Sequence, residues 1–329
     1  MTVPSHAAGV ERLAELEALA APARTKRMLV IVNPHAATMS DRLKQLVVFA
    51  LQGRYQVDAV DTQRKGHAIE ICREAAGEGY DVVLAFGGDG TVNEAANGLA
   101  GSETPLTCLP GGSNNVVCKI LGIPVDLVDA TEHLLLLADA WQPRRMDLGR
   151  LDDRWFTFSA GMGLDASVVE RVDSHPSLKA RFGAWYFTEV AVRTFLRRYV
   201  INPPRVEVEA NGQAFRGVSA FVQNAHPYTY FRNLPIDVAE GAEVDSGDLA
   251  GAVLERASAI DMPLLIWRLL SQRARVVNHR RVGSFAGVTG VRARSADGRP
   301  VPVQVDGDYL GDRTAVDFAV APGALTVVA

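Results

Sequence analysis

Apolar positions along this chain follow two regimes, and the change between them divides it. Up to residue 143, short apolar runs alternate with longer stretches in which apolar residues recur every third or fourth position. The runs are Met28–Val32, Gln56–Val60, Asp81–Phe86 and Leu106–Leu109, and each predicts a buried strand. The periodic stretches 41–51, 67–77 and 126–140 predict helices. Strand and helix in alternation predict a doubly wound α/β domain on a parallel sheet, placed at 25–143. Ligands of such sheets bind beyond the carboxyl ends of the strands. Residues 1–24 predict a tail with one short helix, Gly9–Ala20, ended by Pro22. Pro143-Arg144-Arg145 predicts a hinge.

From Met146 the pattern changes to hairpins. Asp147–Leu151, an Asp152-Asp153 turn and Trp155–Ala160 predict the first. Arg205–Ala210, Asn211-Gly212 and Ala214–Gln223 predict another, through a favoured two-residue turn. Further β runs cover 248–254, 286–294, 300–306 and 315–328, interrupted by helices expected over 177–199 and 260–275. A second, mostly antiparallel β domain over 144–315 follows. Within 260–275, Met262, Leu265, Ile266, Leu269 and Leu270 share the face expected to pack on the core. Leu264, Trp267, Arg268 and Arg275 fall outside that face, with Arg273 nearby.

Composition adds boundaries rather than an activity. The 329 residues suffice for two domains with cores of their own. Net charge of −4 argues against a nucleic-acid binder held mainly through phosphates, although Arg268, Arg273, Arg275, Arg280 and Arg281 crowd together. Cys72, Cys108 and Cys118 lack metal-ligand spacing, and an odd number suits a reducing compartment. Glu11, Glu15 and Glu17 interrupt any leader-like apolar segment, and no apolar run reaches the ~18 residues of a spanning helix. The expectation is a cytoplasmic protein that meets a membrane at its surface, at the inner face.

Several chemistries fail on spacing. The seven histidines are scattered, with no pair suited to zinc. There is no P-loop, and Ser113 does not lie in a nucleophile elbow. Gly161-Met-Gly-Leu-Asp165-Ala166 matches a dinucleotide fingerprint formally. It is rejected because the chain is expected to run on to Ser174-His-Pro and a long helix.

The stretch that carries chemistry is Gly87-Gly88-Asp89-Gly90-Thr91-Val92-Asn93-Glu94 through Gly98, directly after the Asp81–Phe86 run. Strand, glycine turn and helix start leave bare N–H groups at the positive end of a helix, which suits phosphate. Asp89 is out of place beside phosphate unless a cation bridges the two, so the turn suits a Mg²⁺-nucleotide or a phosphoryl acceptor. The structural alternative is a tight turn in which Asp89 caps nearby amides. Asn33-Pro34-His35-Ala36-Ala37-Thr38, Thr62 and the loop Pro110-Gly-Gly-Ser113-Asn-Asn115 are expected at the same rim of the sheet.

Gly-Gly-Asp-Gly-Thr with Asn93-Glu94 resembles the signature of the diacylglycerol kinase catalytic-domain family, which includes bacterial lipid kinases and sphingosine kinases. The resemblance covers most of 27–329, most strongly 87–98, and also 110–124 and 303–310. At 110–119 the family usually carries Pro-Leu-Gly-Thr-Gly-Asn-Asp-Phe-Ala-Arg. Gly112, Ser113 and Asn115 fit that pattern, and Val116 replaces its Asp. The resemblance implies a β-sandwich second domain, with the last strand, 316–329, returning to the first. It implies ATP and Mg²⁺ as cofactors, and a lipid of diacylglycerol or sphingoid type as substrate. By position it assigns ATP to Asn33, Pro34, His35, Ala36, Ala37, Thr62, Gly88, Asp89, Gly90, Thr91, Val92, Asn93, Glu94 and Ser113. Asp245-Ser246-Gly-Asp248 stands where the family has an Asp-Gly turn holding a structural Mg²⁺, with Ser246 in the place of that Asp; a solvated turn is the alternative.

In Val303-Gln-Val-Asp306-Gly-Asp308-Tyr-Leu310 the family has Asp-Gly-Glu, and its Glu is the general base. Asp308 takes that place, and Asp89 is the second catalytic candidate. Peripheral contact with a membrane and a homodimer are the expected associations, and nucleic acid is not expected. Two other readings stay open: an NAD kinase on the same Gly-Gly-Asp-Gly turn, and a non-catalytic nucleotide- or lipid-binding member of the fold. Asn93-Glu94 and the 110–115 loop favour the lipid kinase over the NAD kinase. Val116 and the variant loop Asn224-Ala-His-Pro-Tyr228 keep the non-catalytic reading open.

Overall fold

The structure, a computed structural model, describes residues 26–36, 39–138, 140–173, 190, 193–194, 199, 203–231, 233–271 and 273–329. The helix expected over Gly9–Ala20 and most of that expected over 177–199 lie outside these residues. The chain divides into two compact units, Met1–Met146 with Ala324–Ala329, and Asp147–Gly323.

In the first unit β1 (Lys26–Val32), β2 (Tyr55–Asp61), β3 (Val82–Gly87) and β4 (Leu106–Pro110) form a parallel sheet in the order β2-β1-β3-β4. Its helices are α1 (Asp41–Leu51), α2 (His67–Gly77), α3 (Asp89–Leu99), α4 (Val116–Leu121) and α5 (Leu127–Leu137). Strand β3 lies between β1 and β4, with Leu84 opposite Val30 on one side and Thr107 on the other. That position explains its unbroken apolar run, because a central parallel strand is covered on both faces. Val82, Val83, Leu84 and Phe86 are wholly buried, each worth about 1.5–3 kcal/mol. Helix starts follow local chemistry: Ser40 Oγ accepts from Leu43 N–H, and Asp126 accepts from Val128 and Asp129. The end of the chain adds an edge to this sheet, where Val327 pairs in parallel with Leu106.

The second unit is built of antiparallel sheets. The chain enters it along β5 (Arg144–Leu151), followed by β6 (Arg154–Phe156), β7 (Ser159–Met162) and α6 (Leu164–Asp173). Next come β8 (Val206–Ala210), β9 (Gln213–Gly217), β10 (Ser219–Gln223) and the small hairpin β11 (Thr229–Phe231) with β12 (Leu234–Ile236). The remainder is β13 (Leu249–Leu254), α7 (Met262–Leu270), β14 (Val282–Val288), β15 (Gly290–Ser295), β16 (Val301–Val305), β17 (Asp308–Arg313) and β18 (Ala315–Val327). One sheet runs β14-β13-β10-β7-β16-β17, and β18-β15-β8-β9 are joined in a second. Residues of both, among them Phe156, Met162, Val208, Val222, Val291, Val303 and Phe318, share one buried core. The parallel sheet and the antiparallel β region expected from the sequence are thus both present.

Several local expectations need correction. The hinge expected at Pro143-Arg144-Arg145 runs directly into a strand, since Arg144 opens β5, and the two units divide after Met146. The run Ala214–Gln223 is two strands: β9 pairs with β8, whereas β10 pairs with β7 and β13. The run 286–294 likewise divides between β14 and β15, which pair in different sheets, after Gly287 turns the backbone at φ 66°. An apolar run reports burial but not which sheet buries it. Helix α7 stops at Leu270 because Ser271 is extended, well short of the expected residue 275. Helices α4 and α6 were not anticipated. A helix does follow Gly161–Ala166, so that part of the objection to the fingerprint fails. The pattern is still no dinucleotide motif, because β7 pairs antiparallel with both neighbours.

Candidate functional site

Three backbone hydrogen bonds continue the parallel ladder past the strand ends. Thr62 N–H donates to Val32 O at 2.8 Å, Asn33 N–H to Phe86 O at 3.0 Å, and Gly111 N–H to Gly87 O at 2.9 Å. They set the loops carrying Thr62, Asn33, Gly87-Gly88 and Gly111-Gly112 side by side along one rim, where sequence placed them. Ala37 lies outside the described residues; Pro34 and His35 are exposed in the same loop. Asn33 is fixed twice over: its Nδ2 donates to Thr91 Oγ1 at 3.2 Å and its Oδ1 accepts from His35 N–H at 3.0 Å.

The glycines serve a closer purpose than turning the chain. Gly88 has φ −88°, open to any residue. What demands glycine is proximity. A Cβ on Gly112 would stand 2.7 Å from Gly88 Cα, one on Gly111 2.9 Å from Gly87 Cα, and one on Gly87 2.4 Å from Thr91 Oγ1. The two loops therefore touch backbone to backbone, and the surface they present is main chain. Helix α3 starts there with no side-chain cap at Gly88, whose carbonyl accepts from Thr91 N–H at 2.9 Å and Val92 N–H at 3.2 Å. Asn115 holds the second loop, accepting from Gly112 N–H and donating to Gly112 O, both at 2.9 Å, in the left-handed conformation that Asn tolerates. Ser113 is exposed on this loop.

Asp89 opens α3, where the helix dipole favours an acid. Its Oδ1 accepts from Val117 N–H at 3.3 Å, in the first turn of α4, so the amide-capping alternative is realised in part. Burial lowers the pKa of Lys119, and the charge of Asp89 opposes that shift. Val92, Asn93 and Glu94 are buried. Asn93 accepts from Asn97 Nδ2, and Glu94 accepts from Gly66 N–H at 2.7 Å and Ala68 N–H at 3.2 Å. Glu94 thereby caps α2, whose own cap position, Gly66, has no side chain to do so. These side chains brace the rim, while Asn33, Gly88, Thr91 and Ser113 lie along it. Gly98, the end of the motif, is also a packing residue: a Cβ there would meet Cys72 Cβ at 2.4 Å.

In the second unit Asp306 and Gly307, both at positive φ, form the two-residue turn from β16 to β17. Asp306 is buried and accepts from Thr157 N–H and Oγ1, each at 2.7 Å, and from Phe158 and Ser159 N–H at 3.0 Å. Burial pushes its carboxyl above the ordinary range, and these hydrogen bonds oppose the rise. Asp306 is a structural anchor. Asp308, the expected base, is half-buried as the first residue of β17.

A residue that sequence reasoning passed over stands behind that turn. Asp165, at the start of α6, is raised in pKa by burial, against hydrogen bonds from Tyr228 Oη at 2.6 Å and Gln304 Nε2 at 2.9 Å. Gln304 Oε1 in turn accepts from Gly307 N–H at 2.9 Å. Gly161 must lack a side chain, since a Cβ there would sit 2.1 Å from Asp165 Oδ2. The rejected fingerprint was thus the signal of a buried acid, and the variant loop 224–228 supplies its tyrosine.

Asp245 and Asp248 do not fit a protein-held metal. Ser246 Oγ donates to Asp248 Oδ1 at 2.8 Å, and the nearby Asp147 accepts from Gly247 N–H at 2.6 Å and Gly323 N–H at 2.7 Å. Backbone amides take the place of a cation in closing the turn. Among the described residues no three His, Cys, Asp or Glu side chains converge to hold an ion.

Residues 27–151 match the diacylglycerol kinase catalytic domain. A diacylglycerol kinase of Bacillus subtilis is 31% identical over 201 residues, which span 58% of this chain and 62% of that protein. A diacylglycerol kinase of Staphylococcus carnosus is 24% identical over 298 residues, 88% of this chain and 91% of the relative. The fold is that of a diacylglycerol kinase structure from Bacillus anthracis, with a TM-score of 0.68 at 19% identity, over 92% of this chain and 96% of the other. The loops aligned along the rim of the first unit thus lie within the stretch, residues 27–151, that matches the diacylglycerol kinase catalytic domain.

Proposed function

We propose that the protein is an ATP-dependent lipid kinase that transfers the γ-phosphoryl group to the hydroxyl of a diacylglycerol- or sphingoid-type lipid. The observation that carries this reading is the backbone contact of Gly87-Gly88 with Gly111-Gly112 at the uncapped start of α3. It suits phosphate oxygens, because the loops present main chain at the positive end of a helix and no side chain intervenes. In this reading Gly88–Thr91 and Ser113 hold the phosphates, and Asn33, Thr62 and the 34–37 loop flank the nucleotide. Val92, Asn93 and Glu94 support it from behind. A bound Mg²⁺ would neutralise charge developing on the phosphate oxygens, and Asp89 is the loop's own carboxylate for holding it.

Transfer joins the lipid hydroxyl oxygen to the γ-phosphorus as the bond to the β–γ bridging oxygen breaks, releasing ADP. The hydroxyl proton passes to Asp308, whose turn is anchored by Asp306 on one side and by Gln304 on the other. Among the described residues no helix is long and apolar enough to cross a membrane. A cytoplasmic protein that meets its lipid at a membrane surface, alone or as a homodimer, is part of the same proposal.

Incubation with γ-labelled ATP, a panel of lipids and NAD tests the reading. Label on a diacylglycerol or sphingoid lipid supports it. Label on NAD replaces it with an NAD kinase. ATP binding without label on any acceptor leaves a nucleotide-binding protein.

A further inference from the structure

Helix α7 buries one side and leaves the other apolar and bare. Leu265 is 3% exposed and packs with Tyr199, Val218, Leu254 and Val276, joined by Met262 and Leu269. The remaining apolar side chains of the segment face solvent: Ile260 is 88% exposed, Leu264 46%, Ile266 44%, Trp267 57% and Leu270 41%. At about 100° per residue, Ile266, Leu270, Trp267 and Leu264 fall in that order on one continuous arc, and Ile260 lies in the turn just before the helix. Ile266 and Leu270 were expected on the buried face, so the bare surface is wider than the sequence suggested. Five of the ten large exposed apolar side chains among the described residues lie in these eleven positions, too many together for scattered surface apolar residues.

The charge around the arc is predominantly positive. From Arg256 to Arg281 the sequence holds six arginines, no lysine and one acid, Asp261, in a chain of net charge −4. Asp261 is committed to Arg280 at 3.1 Å and Arg281 at 3.8 Å. Arg268 reaches over to Arg275 O at 2.9 Å, and the Arg275 guanidinium meets Glu240 at 2.7 Å. A tryptophan and aliphatic residues flanked by exposed arginines match the layered chemistry of a bilayer surface, where apolar side chains enter between headgroups and guanidinium groups stay at the phosphates.

We propose that the segment 260–270 is the face on which this protein docks to an anionic bilayer, with Ile260, Leu264, Trp267 and Leu270 entering the headgroup layer. Arg268, Arg273 and Arg275 take the lipid phosphates. This docking extends the lipid-kinase reading by naming a surface for reaching the lipid, and it is measured without nucleotide or turnover, so the two fail separately.

The test is co-sedimentation of the full chain with vesicles of phosphatidylglycerol or of phosphatidylcholine, with tryptophan emission followed in parallel. Wild-type protein should sediment with phosphatidylglycerol, release with rising salt, and shift its emission to the blue, a shift absent in Trp267→Phe. Leu264→Asp with Trp267→Asp should weaken binding at least roughly tenfold, the scale of losing two apolar insertions. Arg268→Gln, Arg273→Gln and Arg275→Gln together should abolish the preference for phosphatidylglycerol, a readout that does not need the apolar pair to fold. Equal sedimentation with both lipids, or binding that neither set of substitutions alters, overturns the proposal. So does a concentration-dependent dimer, seen by light scattering without vesicles, that Leu264→Asp with Trp267→Asp dissociates; the face would then join two copies.

Discussion

Substituting the two glycines that meet across the rim tests whether this site is set by backbone contact. Carbon atoms rest ~3.5–4.0 Å apart. A Cβ on Gly112 would lie 2.7 Å from Gly88 Cα and 3.1 Å from Asn115 Oδ1, whereas one on Gly88 would lie 3.3 Å from Gly112 Cα. Gly112→Ala is thus short of contact distance by about 0.8 Å, against backbone, and Gly88→Ala by about 0.2 Å. Neither neighbour can swing aside as a flexible side chain could. Overpacking costs about 1–3 kcal/mol, so Gly112→Ala belongs near 3 kcal/mol and Gly88→Ala near 1 kcal/mol. For a unit of this size each kcal/mol moves the Tm by about 2–4 °C. The expected losses are about 6–12 °C for Gly112→Ala and about 2–4 °C for Gly88→Ala, read from thermal unfolding by circular dichroism. A Gly112→Ala protein that melts with wild type, or a Gly88→Ala protein that melts below the Gly112→Ala protein, would refute the backbone-contact account of these glycines.

Further outcomes follow from the same geometry. Asp89→Asn should keep the fold, since its bond to Val117 N–H can be made by an amide oxygen, yet lose most phosphoryl transfer; full turnover would make Asp89 merely structural. Asp308→Asn should cut turnover far more than ATP affinity while Asp308→Glu retains activity; Asp306→Asn should instead lower the Tm, because an amide cannot accept all four of its donors. Glu94→Ala should cost about 2 kcal/mol in urea unfolding, the scale of leaving buried N–H groups at Gly66 and Ala68 unpaired. Asp165 has a folded pKa raised by burial, so its stability contribution is present below the unfolded value and lost as pH rises through the folded one. Asp165→Asn should therefore gain on wild type as pH rises from 4 toward 7, and a pH-independent difference would show that Asp165 does not titrate with folding.

The first unit was legible because its signals are local. Helices α1 and α2 begin and end where apolar periodicity places them, and β3 reads as a covered strand because it has neighbours on both sides. The rim could be named from sequence alone, since in a parallel sheet every strand delivers its following loop to the same edge. The second unit was legible in kind, with its hairpin turn at Asn211-Gly212, but less so in detail. Residues 214–223 and 286–294 read as continuous runs, yet each crosses from one sheet to another, and pairing partners are not written in a strand's own pattern.

Which polar residue does what was decided by tertiary contact. Sequence set Val92, Asn93 and Glu94 beside Gly88 as equals, but helical geometry turns them inward, and Glu94 caps a helix that starts 27 residues earlier. Asp306 and Asp308 stand two apart and look alike in sequence; the tight turn, with Asp306 at positive φ, sets the first onto the amides of Thr157–Ser159 and leaves the second half-exposed at the start of β17. Asp165 was hidden within a mistaken motif, and its partners Tyr228 and Gln304 lie 63 and 139 residues away. The strand–glycine–helix grammar and the family it signals are properties of contiguous residues, and one sequence contains them. Burial, and with it the choice between an acid held as an anchor and one left half-exposed, depends on residues far apart in the chain, and only the folded packing brings those together.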